Sequence, residues 1–125
     1  MEPVTVLVIE EGAEAALVCA ALARQPDVRV LDAPDVRRVL KRLDEGPGRV
    51  AVAIIGAAAL AKSDEVVKKL GSRGIPVVGV AAGLAPADRQ RALEAGVKEI
   101  HDRPVKWEPY SDLIGTLVSR FSLPN

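Results

Sequence analysis

The chain has 125 residues, 49% of them hydrophobic and 27% charged, a size and balance that suit one packed domain and exclude a disordered segment. Its 17 basic and 17 acidic residues cancel, which excludes a global positive field able to attract nucleic-acid phosphates or anionic lipid. A single cysteine, Cys19, excludes an intrachain disulfide, and no apolar run is long enough for a signal peptide or a membrane helix, so the chain reads as soluble and cytoplasmic.

Val4, Val6, Leu7, Val8 and Ile9 form a β-branched apolar run ended by Glu10, Glu11 and Gly12, the pattern of a central strand covered on both faces. Residues 13–24 are rich in Ala and Leu and stop at Gln25 and Pro26, as a helix does where proline cannot continue its hydrogen-bond ladder. Within that helix Cys19 has Ala and Leu around it and no His or Lys near it in sequence to lower its pKa. A small buried hydrophobe is expected there, not a reactive thiol.

A second strand is expected over 28–33, after which Pro34 opens a helix in which Val36, Val39, Leu40 and Leu43 recur at helical spacing and Gly46, Pro47 and Gly48 end it. Residues 50–55 are wholly apolar and give a third strand. Ser63, Asp64 and Glu65 then read as the capped, acidic start of a helix that buries Val66, Val67 and Leu70 and ends at Gly71 and Gly74. A fourth strand follows over 76–81, and a fourth helix runs from Pro86 to residue 95 with Gly96 as its left-handed stop. Residues 97–101 form a short fifth strand. Leu113, Ile114, Leu117, Val118 and Phe121 are the apolar stripe of a last helix begun near Pro109.

Five alternations of strand and helix over 1–125 predict a single α/β domain, a doubly wound parallel sheet with right-handed crossovers. In such sheets the functional crevice lies at the carboxyl ends of the strands. Those ends carry Glu10 and Glu11, Gly56, Ala81 and Ala82, and Asp102 and Arg103.

The stretch ADRQRALEAG at 87–96, followed by a strand ending in Arg103, Pro104 and Val105, closely resembles the fourth helix and fifth strand of bacterial response-regulator receiver domains. Residues 6–11 resemble their acid-ended first strand, 51–56 their third and 76–82 their fourth, so the resemblance spans nearly the whole chain. It implies the flavodoxin-like (βα)5 fold with strand order 2-1-3-4-5.

Working receivers end the first strand with two acids that hold Mg2+ and the third with the aspartate that attacks phosphorus. By position Glu10 and Glu11 match the acids, but Gly56 falls on the phosphoacceptor and has no atom with which to form an acyl phosphate. Ala81 replaces the Ser or Thr hydroxyl that contacts the phosphoryl group, Ile100 the aromatic switch residue, and Arg103 the lysine. The resemblance is therefore to a degenerate member, a pseudo-receiver, with no catalytic residue. Carboxylates such as Glu10 and Glu11 suit Mg2+, yet the third-strand carboxylate that would complete the site is missing. The expectation is no metal and no cofactor, with Glu10, Glu11 or both paired to Arg103 across the strand ends.

His101 and Asp102 are adjacent, but neighbouring strand residues point to opposite faces, and no Ser or Cys nucleophile is identifiable to complete a catalytic set. The glycines match neither G-x-G-x-x-G nor G-x-x-x-x-G-K-[ST]. Trp107 and Tyr110 precede the last apolar stripe, where a large ring either caps the core or anchors a partner. The resulting reading is a phosphorylation-independent signalling module, not an enzyme. It binds a protein partner or a second copy of itself, and neither nucleic acid nor membrane, through the face built from the fourth helix, fifth strand and fifth helix. That face carries Arg89, Arg91, Glu94, Lys98, Trp107 and Tyr110. The alternative is a small flavodoxin-like enzyme or ligand-binding domain using the carboxyl-end crevice, which a bound flavin or other organic ligand would distinguish.

Overall fold

The computed structural model describes residues 4–10, 12–33, 36–44, 50–60 and 64–122. The apolar runs become the centre of one sheet: β1 (Val4–Ile9), β3 (Val50–Ile55) and β4 (Val77–Ala81) are buried almost throughout. β2 (Val28–Asp32) and β5 (Glu99–Asp102) carry polar residues and are only partly buried, as edge strands are. The order is β2-β1-β3-β4-β5 with every pairing parallel, the flavodoxin-like arrangement expected.

Because side chains alternate along a strand, each central strand feeds two cores. Leu7, Ile9, Ala53, Ile55, Val77 and Ala81 pack beneath α2 (Val36–Asp44), α3 (Asp64–Ser72) and α4 (Pro86–Ala95), which contribute Val39, Val67, Leu70 and Ala92. Val6, Val8, Val52, Ile54, Val78 and Val80 pack beneath α1 (Gly12–Ala23) and α5 (Trp107–Ser122), with Val18, Leu22, Ile114 and Leu117. Each fully buried Leu or Ile contributes about 1.5–3 kcal/mol through area removed from water, so both helical layers are tied to the sheet. All strands run the same way, which brings the ends of β1, β3, β4 and β5 to one side.

Local chemistry sets the boundaries. Gly96, at φ 123°, ends α4, and the amides of Gly96 and Val97 donate back to Leu93 and Ala92. That turn delays β5, which begins at Glu99 and runs through Asp102 where 97–101 was expected. The last helix begins at Trp107, before Pro109, and its first bond runs from the Tyr110 amide to the Lys106 carbonyl at 3.2 Å. Proline is tolerated there because first-turn amides have no partner within the helix. A further single helical turn, Ala57–Leu60, follows β3 directly. The readings at Pro34, at Gly46, Pro47 and Gly48, and at Ser63 fall outside the described residues. Among the described residues no helix is long and apolar enough to cross a membrane.

Candidate functional site at the carboxyl ends of the strands

β1 delivers Glu10 and β3 delivers Gly56 side by side. The Gly56 amide donates to the Ile9 carbonyl at 3.2 Å, and the Gly56 carbonyl accepts from the Leu60 amide at 2.9 Å. Glu10 is only 8% exposed, and its side chain turns over the glycine. A Cβ at position 56 would stand 1.2 Å from Glu10 Oε2 and 2.2 Å from Glu10 Cδ. Among the described residues the positive-φ glycines are Gly12, Gly74, Gly83 and Gly96; Gly56 is not one of them, and the Glu10 carboxylate occupies the space that a side chain there would take. Glu11 lies outside the described residues.

Arg103 pairs with Glu14, a partner that the sequence reading did not include. Glu14 stands in the first turn of α1, where its half-exposed side chain meets the guanidinium arriving from beyond β5. Ala81 is buried in the core. Ile100 is half-buried and packs across Gly79, where a Cβ would meet Ile100 Cγ1 at 3.3 Å and Leu60 Cδ1 at 3.0 Å.

Tyr110, expected on the interaction face, is 3% exposed and belongs to the core beneath α5. Burial, followed by the negative charge of Glu14 and then those of Glu10 and Cys19, pushes its phenol up to about 12, against the opposing charge of Arg103. Trp107 packs on it with ring centroids 6.1 Å apart and an interplanar angle of 38°. Trp107 itself is 38% exposed and Val105 99%. Together with Leu17, Pro104 and Lys106 they border a cavity of about 150 Å³. Neither Leu17 nor Glu14 was marked by the sequence; only the packing of α1 against α5 brings them here.

The remaining face residues are more dispersed. Arg89 donates to Asp102 at 2.9 Å and to the Ile100 carbonyl at 3.3 Å, tying α4 to β5. Arg91 lies 3.4 Å from Asp64 and so leans toward α3. Glu94 accepts from Gln90 at 3.0 Å. Lys98 is exposed just before β5, at the opposite end of the strand from the crevice. His101 Nε2 lies 2.8 Å from Glu99 Oε1, and Arg120 reaches the same carboxylate. His101 and Asp102 thus serve opposite faces of β5, as their adjacency predicts. Cys19 is half-buried where a buried residue was expected, and burial, then the charge of Asp32, raises its thiol pKa. Among the described residues no group of three or more His, Cys, Asp and Glu is placed to hold a metal ion.

Neither a protein-family model nor a curated protein matches the sequence. Solved structures do match. The phosphorylated cyanobacterial phytochrome response regulator RcpA superposes with a TM-score of 0.79 at 16% identity, covering 95% of this chain and 94% of that one. A response regulator from Hahella chejuensis gives 0.79 at 16% identity, covering 98% and 97%. The receiver domain of the putative response regulator NarL from Mycobacterium tuberculosis gives 0.72 at 18%, covering 95% and 98%. At such identities the likeness is one of architecture, and the conclusion that it carries is that this chain has the fold of response-regulator receivers.

Proposed function

We propose that the protein is a degenerate receiver, a cytoplasmic signalling module of the bacterial two-component type that works without phosphorylation. It acts by binding a protein partner or a second copy of itself; it is not an enzyme and uses no cofactor. The observation that carries this reading is the pair at the strand ends, where Gly56 supplies no nucleophile and the Glu10 carboxylate fills the space where an acceptor side chain would begin. A glutamate on β1 cannot stand in for the missing attack group without leaving that seat, and Ala81 offers no hydroxyl to steady a transferred phosphoryl.

With the crevice deprived of transfer chemistry, function falls to a surface, and α4, β5 and α5 form the proposed one. Arg89, Arg91, Glu94 and Lys98 orient a partner by charge. Trp107 anchors it: a partly exposed indole resting on Tyr110, beside Val105 and Leu17, has apolar area still to bury. Glu10, Glu11 and Arg103 remain as the vestige of the acidic pocket.

The reading is tested by recovering a partner from the native cell and measuring its affinity, with self-association followed by sedimentation, in the presence and absence of Mg2+ and a small acyl phosphate. The expected result is the same affinity in both conditions. A tenfold or greater strengthening on adding the acyl phosphate contradicts the proposal.

A further inference from the structure

The backbone at position 56 is held on both sides, its amide by Ile9 and its carbonyl by Leu60, so it cannot retreat from a side chain placed upon it. The group that such a side chain would meet is the far end of Glu10, with Oε2 only 1.2 Å from the Cβ position. One of the two must yield, and the flexible one is Glu10. We propose that Glu10 and Gly56 form a latch. The carboxylate carried by β1 is seated in the side-chain volume of position 56 and holds the crevice in one arrangement, and any side chain at 56 unseats it. This rests on the phosphorylation-independent reading in that it names what has taken the acceptor's place.

Two features support a seated carboxylate over a chance rotamer. Glu10 is almost wholly removed from water, and a buried carboxylate persists only where its surroundings hold it. Its charge is also felt by the buried phenol of Tyr110, alongside that of Glu14. The seat is therefore electrically linked to the residue on which Trp107 rests. Tyr110 is the sole tyrosine, so its phenolate absorbance is read without overlap from another phenol.

The test compares the unmodified chain with Gly56→Ala, Glu10→Ala and the double variant by thermal unfolding and by alkaline titration of Tyr110. Gly56→Ala is expected to lower the unfolding midpoint by about 4 °C or more and to shift the Tyr110 titration. In the Glu10→Ala background the same substitution enters vacated space, leaves the midpoint unchanged or raises it, and does not move Tyr110. Should Gly56→Ala alone fail to fold, the double variant is expected to fold and supports the latch. An equal loss from Gly56→Ala in both backgrounds, no loss in either, or a double variant that does not fold overturns it. Phosphoryl uptake by the unmodified chain overturns the proposed function but leaves the coupling intact, so the two failures are distinguishable.

Discussion

Arg103, just beyond β5, and Glu14, in the first turn of α1, form an ion pair whose two charges both act on the buried phenol of Tyr110. Both side chains are partly in water, so the pair contributes at most about 1 kcal/mol to stability. Its electrostatic effect is easier to see. Glu14→Gln removes a charge that raises the Tyr110 pKa and is expected to lower it; Arg103→Ala removes an opposing charge and is expected to raise it. Phenolate absorbance in the two variants checks the signs, and a shift in the same direction for both contradicts this placement.

Tyr110 also fixes a stability profile. Its folded pKa of about 12 lies above the ordinary 10.0, so the folded state holds the phenolic proton more tightly than the unfolded state does. The corresponding stability is complete below pH 10 and is lost as pH rises toward 12. Unfolding midpoints measured across that window are expected to fall more steeply for the unmodified chain than for Tyr110→Phe. Parallel curves contradict the assignment.

Trp107→Ala separates packing from recognition. Because the indole is 38% exposed, its loss is expected to cost less than the roughly 3–5 kcal/mol of a fully buried aromatic, and the variant stays folded. Affinity for the partner, or for a second copy, is expected to fall roughly 30-fold, about 2 kcal/mol. Unchanged affinity for Trp107→Ala and for a folded Arg89→Ala, Arg91→Ala variant rules out the α4, β5 and α5 face.

Restoring an acceptor should not restore the reaction. Gly56→Asp unseats the Glu10 carboxylate and leaves a second carboxylate beside it in the same crevice, and like charges in one site disfavour each other. It is expected to destabilise the fold by about 1 kcal/mol or more relative to Gly56→Asn at neutral pH, a gap that narrows as the pH falls through the carboxylate range. Equal stability of the two variants at neutral pH shows that the charges do not meet.

Much of this fold is legible in the sequence because β1, β3 and β4 are apolar on both faces, and such runs bounded by helical stretches have one common solution. The glycine that ends the third apolar run is equally legible, and on the proposed reading it stands where a receiver carries its acceptor. The seat of Glu10 is not, since it depends on side-chain torsions and on the contact between neighbouring strands. Nor is Glu14, which meets Arg103 only after 89 residues of chain have folded. Tyr110 did leave a signal: it precedes Ile114, Leu117 and Val118 at spacings of a helical stripe, and carrying that stripe back one turn places it in the core. The turn Ala57–Leu60 is too short to show any period.

The central claim is that this crevice does not carry a phosphoryl group, and intact mass tests it most directly. Purified protein incubated with Mg2+ and a small acyl-phosphate donor is expected to keep its mass unchanged, because Gly56 has no carboxylate and Ala81 no hydroxyl. A stoichiometric phosphoryl adduct mapped to Glu10 or Glu11 would contradict the account, since it would mean that the carboxylate leaves its seat over Gly56 and takes up the chemistry itself.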